Sequence, residues 1–136
     1  MVTLGSPLLG RRILIVDDCK DITSLVAEAF ASIGAKPVEV NNGTEAMVML
    51  LTTEFDVMVL DMVMPQPDGW RVLDFAHRRP EWLGRTIIVT AYRYSPQVSA
   101  AVRQYGVAHL FKPFMLADLI SAASRVVERA RFESAA

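Results

Sequence analysis

The sequence predicts an α/β chain built on a five-stranded parallel sheet with helices on both faces. Three observations carry that expectation. Five short apolar or β-branched runs are spread along 136 residues. Helical periodicities fill the gaps between them. The runs read as continuously apolar rather than alternating, as strands buried on both faces do. The length suits one domain of the usual size, about 100–200 residues.

Taken in order, residues 1–10 are expected to fray, and the first run is Ile13–Val16 (ILIV). Ile22, Leu25, Val26, Ala29, Phe30 and Ile33 keep the 3–4 residue spacing of one helix face, and Gly34 stands where a helix stops. The second run, Pro37–Val40 (PVEV), is more mixed and belongs nearer an edge. After the turn-forming Asn41-Asn42-Gly43, Ala46, Met47, Leu50 and Leu51 mark a second helix. The third run is Val57–Leu60 (VMVL). Trp70, Leu73 and Ala76 form a short third stripe that closes before Pro80. The fourth run is Thr86–Val89 (TIIV). Ser95 followed by Pro96 reads as an N-cap and a first-turn proline, and Gly106 ends that helix. The fifth run is Ala108–Phe111 (AHLF). Leu116, Leu119, Ile120, Ala123 and Val127 form the last helix, fading near Arg131. A β-α unit repeated five times makes a parallel sheet covered on both sides.

Composition removes several function classes. A net charge of −1 leaves no electrostatic footprint for nucleic acid. No apolar run approaches the roughly 18 residues of a membrane span. The opening MVTLGSPLLG lacks the basic start and long apolar core of a signal peptide. Cys19 is the single cysteine, so no internal disulfide framework exists, and a cytoplasmic location without membrane insertion is expected. Charge is unevenly placed: residues 1–70 hold 10 acids and 4 bases, residues 71–136 hold 5 acids and 10 bases. Solvated helix faces explain that split; so does an acidic pocket built early and a basic helical surface built late.

Ligands of open parallel sheets bind beyond the carboxyl ends of the strands. There the sequence delivers Asp17 and Asp18 after the first run, Asp61 after the third, Thr90 after the fourth and Lys112 after the fifth. One acid at a strand end is a common turn feature. Three converging on one pocket repel one another unless a cation offsets them. Hard oxygen ligands suit Mg²⁺, which takes one or two carboxylates, waters and a phosphate oxygen. A carboxylate can also act as a nucleophile and become an aspartyl phosphate. Thr90 and Lys112 would then meet the phosphoryl oxygens while a metal neutralises the remaining charge.

The residues ILIVDD at 13–18, LDMVMPQPDGW at 60–70, IVTA at 88–91 and FKPF at 111–114 give a strong joint signature in this order. On them the chain resembles the receiver domain of bacterial two-component response regulators, over residues 11–131, with tails at 1–10 and 132–136. The length resembles stand-alone receivers of the chemotaxis type. The resemblance implies a flavodoxin-like, CheY-like fold with strand order 2-1-3-4-5 and five helices. It implies that Asp61 takes a phosphoryl group from a phosphohistidine of a sensor histidine kinase or histidine phosphotransfer protein. It implies Mg²⁺, or Mn²⁺, held by Asp17, Asp18, Asp61 and the Val63 backbone carbonyl, and a cis bond before Pro113. Thr90 and Lys112 would sense the phosphoryl group. No chemistry beyond Mg-dependent self-phosphorylation and autodephosphorylation is implied, so the chain is not expected to be an enzyme.

The family's switch moves the threonine inward and an aromatic side chain after it. Here that second position is His109, which is smaller, polar and titratable. Val63 and Tyr92 hold the positions that tune phosphate lifetime in the family. Neither offers a carboxylate or amide to orient water, so slow decay is expected. Met115 replaces the acidic or Ser-like cap often found there. Partner surfaces follow by resemblance: Lys20, Ile22 and Phe114–Met115 for the phosphodonor, and the fourth helix, fifth strand and fifth helix for a downstream protein target or a homodimer. Arg93, Arg103, Arg125 and Arg129 fall on the second surface.

Other residues have plainer readings. Cys19 reads as a start-of-helix residue, His77 as a cation at a helix end, and Trp70 as helix-to-sheet packing. Val48 and Met49 leave the second helix apolar almost all round, which suits either core or a partner patch. Competing functions are a hydrolase of the haloacid dehalogenase type, a flavin carrier and a degenerate receiver that only binds proteins. Val63 stands where the hydrolase needs a second acid. The acid pair stands where a flavodoxin needs a phosphate loop. The intact set of five polar residues argues against the degenerate reading.

Overall fold

A computed structural model describes residues 5–135. The elements are β1 Arg12–Val16, α1 Lys20–Ser32, β2 Lys36–Val40, α2 Gly43–Thr52, β3 Val57–Asp61, α3 Gly69–Ala76, α4 Glu81–Arg85, β4 Thr86–Thr90, α5 Pro96–Tyr105, β5 Ala108–Phe111 and α6 Leu116–Ala135. The five strands pair in parallel in the order β2-β1-β3-β4-β5. β2 is an edge strand, as its mixed composition predicts. The helices expected as fourth and fifth are α5 and α6.

The two-residue period of each strand splits the core into two layers. Leu14, Val16, Met58, Leu60 and Ile88 face α2, α3 and α5. Ile13, Ile15, Val57, Val59, Ile87 and Val89 face α1 and α6. All five residues of β3 and of β4 are buried, so the central strands place their last residues, Asp61 and Thr90, with little freedom to shift. Helix starts are capped where the sequence offers acceptors. Asn42 accepts from the Glu45 N–H, Asp68 from the Arg71 N–H and Ser95 from the Val98 N–H. Gly106 ends α5 at φ 65°, a left-handed conformation that suits glycine.

Three expectations are corrected. A sixth helix, α4, stands in the connection after Pro80. Five residues are too few for a periodic signal, and tertiary packing makes the helix: Trp82 is buried, and its carbonyl accepts a 2.6 Å hydrogen bond from the Thr86 hydroxyl. The last helix does not fade near Arg131 but runs to Ala135, with Arg131, Phe132 and Glu133 exposed. Residues 5–10 are not frayed: Leu8 is fully buried, and the Gly10 N–H donates to the Gly34 carbonyl at 2.8 Å. Residues 1–4 and 136 of the expected tails lie outside the described residues. No described helix is long and apolar enough to cross a membrane.

Candidate functional site

The carboxyl ends of β1, β3, β4 and β5 bring together the residues that the strand-end pattern singled out. Asp17 and Asp61 are almost fully buried, 4% and 5% exposed, while Asp18 lies exposed at the mouth. Oxygens of all three carboxylates lie within 4.8 Å of one another. Asp17 is held from two sides. One of its carboxylate oxygens accepts the Cys19 N–H at 2.9 Å, and its backbone N–H donates to the Val40 carbonyl at 3.2 Å. Asp61 accepts the Val63 N–H at 3.1 Å.

Lys112 reaches both buried acids. Its ammonium lies 2.9 Å from Asp17 and 3.4 Å from Asp61. Burial alone would lower the lysine, but the Asp17 hydrogen bond and the charges of Asp61 and Asp17 outweigh it, leaving the pKa raised. Asp61 goes the other way from an ordinary carboxylate. Burial and then repulsion by Asp17 push it from 3.8 up to about 6, against the Val63 N–H and Lys112. A single ammonium therefore leaves this pocket short of positive charge. The oxygen-rich, under-neutralised donor set fits a hard divalent cation.

Thr90 is 1% exposed, and its hydroxyl accepts the Tyr92 N–H at 3.1 Å. Beside it opens a cleft of about 240 Å³, lined in part by Val63, Trp70, Thr90 and Tyr92. Val63 and Tyr92 are exposed over this opening. The Lys112–Pro113 bond is cis, as is Gln66–Pro67. His109 is exposed on β5 and stands edge-on to Phe111, with ring centroids 5.4 Å apart. The Arg93 guanidinium lies 5.2 Å from the Phe111 centroid. Met115 and Cys19 are exposed at the same rim. His77 lies along a groove between α3 and α5 that Trp70 also lines.

Two positioning features were absent from the sequence reading. Asn41, met only as a turn residue after β2, donates its amide to the Asp17 carbonyl (2.9 Å) and to the Thr23 hydroxyl (3.1 Å). It thereby fixes the loop that carries both acids of β1. Gly69 packs against the backbone at the end of β3. A Cβ there would overlap the Met62 Cα and the Asp61 carbonyl oxygen. Its N–H donates to the Met62 carbonyl at 3.3 Å. The signal for Asn41 was its place at a strand end; for Gly69 it was the Asp68-Gly69 pair, read only as a turn.

Residues 13–124 match the family model of the response regulator receiver domain. Among curated proteins, the chain is 29% identical to sporulation initiation phosphotransferase F of Bacillus subtilis over 118 residues, covering 87% of this chain and 94% of that one. It is 33% identical to the regulatory protein AtoC of Escherichia coli over 119 residues, 88% of this chain and 25% of that one. It is 30% identical to the regulator of RpoS of the same bacterium, over 74% of this chain and 29% of that one. The chain thus spans under a third of the length of these last two relatives. Among solved structures, a CheY-like response regulator receiver domain protein from Methanospirillum hungatei superimposes with a TM-score of 0.83 at 25% identity, over 91% of this chain and 98% of that one. The Francisella response regulator 1452 receiver domain does so at 0.80 and 24%, over 89% and 99%.

Proposed function

We propose, because the chain belongs to the response regulator receiver domain family, that Asp61 accepts a phosphoryl group from a phosphohistidine of a sensor kinase or phosphotransfer protein. The single observation that carries this reading is the shared pocket. A buried carboxylate stands beside a second one, with a lysine in reach of both and a threonine hydroxyl at the neighbouring strand end.

In the transfer, an Asp61 carboxylate oxygen forms the new O–P bond as the N–P bond to the imidazole breaks, and the imidazole nitrogen takes up a proton. Asp61 must be ionised to attack, so Lys112 and the Val63 N–H, which lower its pKa, favour the reacting form. Asp17, Asp18, Asp61 and the Val63 carbonyl would hold Mg²⁺, or Mn²⁺, which offsets charge on the carboxylates and the transferring group. Lys112 pairs with a phosphoryl oxygen of the product. Thr90 gives up its contact with the Tyr92 N–H and donates its hydroxyl to another. The shift of Thr90 alters the β4–α5 loop and, through β5 and His109, the surface offered to a downstream protein. The near-complete overlap with a phosphotransferase of similar length supports a place in a phosphorelay.

The test is intact mass after incubation with Mg²⁺ and acetyl phosphate. The wild type should gain one phosphoryl group and Asp61→Asn none. No gain in the wild type would instead favour a degenerate receiver that acts only as a protein-interaction module.

A further inference from the structure

We infer that the groove between α3 and α5 is a docking site for a short, extended segment of a partner protein that presents an arginine. The groove has a volume of about 300 Å³. One face of each helix forms a wall. Trp70, Asp74 and the capping His77 stand at i, i+4 and i+7 along α3. Gln97, Ala100 and Gln104 stand at i, i+3 and i+7 along α5. Tyr105 meets His77 edge-on, with ring centroids 4.2 Å apart. Among the described residues, none of β5 or α6 lines the groove, so it is separate from the surface those two elements offer.

Charge and ring faces name the occupant. Asp74 is exposed and makes no ion pair among the described residues. Arg78, four residues on, lies instead over the Phe75 ring, 5.2 Å from its centroid. The same pairing recurs elsewhere in the chain. Arg85 lies over Trp82 at 5.3 Å and Arg93 over Phe111 at 5.2 Å. Among the described residues no cation covers Trp70 or Tyr105 in this way, and no lysine or arginine lines the groove. His77 does not fill that place. Its Nε2 is shut off from solvent and has no hydrogen-bond partner, which suits an uncharged ring. A guanidinium has a flat face for the rings and N–H groups for the Asp74 carboxylate, so one arginine answers both.

Shape and spacing name its setting. The groove is open along one side, so it does not enclose a free small molecule as most ligand pockets do. An arginine carried by a larger body suits it better. Gln97 and Gln104 are exposed, and their seven-residue separation sets them about 10 Å apart along α5, roughly three residues of extended chain. Their amides both donate and accept, as the backbone of an extended segment requires. The groove adjoins the cleft beside Thr90 and shares Trp70 and Gln97 with it. The proposed shift of Thr90 would therefore reach the groove, so the unphosphorylated chain is the one to test.

The chain has 2 tryptophans, so two indole N–H resonances report separately on Trp70 in the groove and on the buried Trp82. The probe is an end-blocked pentapeptide with arginine at its centre and alanine elsewhere. Its control carries citrulline, the uncharged isostere, in place of arginine. In ¹H–¹⁵N spectra the arginine peptide should shift the Trp70 resonance saturably and leave that of Trp82 in place. The citrulline peptide should bind at least about fivefold more weakly, and Asp74→Asn should weaken the arginine peptide by a similar factor. Ala100→Arg, at an exposed helix position, sets a cation of the chain's own in the groove and should weaken binding likewise. Equal binding of the citrulline peptide, no effect of either variant, or a shift of Trp82 without Trp70 would overturn the inference. So would agmatine binding as tightly as the peptide, which would give the groove to a free small cation. A Trp70 resonance that moves with protein concentration alone would give it to a second copy. The comparison of arginine with citrulline is read on the wild type and stands whether or not a variant folds.

Discussion

The Lys112 ammonium sits closer to Asp17, at 2.9 Å, than to Asp61, at 3.4 Å. The lysine is thus engaged chiefly by Asp17 rather than by the proposed phosphoacceptor, and a metal arriving at the acids would share its task. Replacing Lys112 by alanine leaves two buried carboxylates facing each other. Metal-free stability at pH 8 should fall by on the order of 1–3 kcal/mol, less than for a fully enclosed pair because the lysine is partly solvated. Mg²⁺ should restore more stability to Lys112→Ala than it adds to the wild type. Thermal melts with and without Mg²⁺ check this; an equal Mg²⁺ shift in both proteins would show that lysine and metal do not answer the same charge.

Asp61 makes metal-free stability depend on pH. Its folded pKa, about 6, lies above the ordinary 3.8, so the native state binds this proton more tightly than the unfolded chain. Stability from this group is present at low pH and is lost as pH rises through the window between those values. At pH 8 the ionised, repelled carboxylate is a net cost. Asp61→Asn should therefore be more stable than wild type at pH 8 without metal, by on the order of 1–2 kcal/mol after allowing for solvent screening. The gap should narrow at pH 5. Denaturant titrations at the two pH values decide; a gap that widens on acidification contradicts the assignment.

Gly69 packs against the backbone that carries Asp61. Gly69→Ala would normally favour a helix start, but its methyl overlaps the Asp61 carbonyl and the Met62 Cα. Backbone cannot give way as a flexible side chain does, so a loss of about 2–3 kcal/mol is expected. The same displacement should slow phosphorylation by acetyl phosphate at saturating Mg²⁺. An alanine variant as stable and as reactive as wild type would remove Gly69 from the positioning of Asp61.

What was legible in the sequence and what was not divides along the range of the interactions. That Asp17, Asp61, Thr90 and Lys112 share one edge was legible because each ends or follows an apolar run, and a buried strand fixes where its last residue lands. Asn41 ends a strand too. Its amide bonds to Asp17 and Thr23 depend on how α1 and β2 pack, and no local pattern records that. Gly69 reads as a turn glycine until the approach to Met62 is seen. Leu8 and α4 escaped for a related reason: a lone apolar residue and a five-residue helix have no period, and their order comes from burial of Leu8 and Trp82. Trp70 and His77 were visible singly, as packing and as a helix end, but the groove they line exists only once α5 stands opposite α3.

If Asp61 is phosphorylated as proposed, the exposed pair Val63 and Tyr92 would bear on how long the phosphoryl group survives. They line the cleft beside Thr90 and are 47% and 62% exposed, so they stand on the solvent side of the site. Hydrolysis of the acyl phosphate needs a water oriented and its proton accepted, and an isopropyl group and a phenol ring at these positions offer no carboxylate or amide to do so. The phosphorylated wild type should therefore decay slowly once phosphodonor is removed. Tyr92→Asn, which places an amide over the cleft, and Val63→Glu, which places a carboxylate there, should each shorten the half-life at least about tenfold, a modest share of what a positioned base supplies. Both side chains are exposed, so neither change should disturb the fold by more than about 0.5 kcal/mol. Intact mass followed over time after rapid desalting reads the decay directly. Wild-type decay as fast as that of the two variants would show that water is already oriented by other groups.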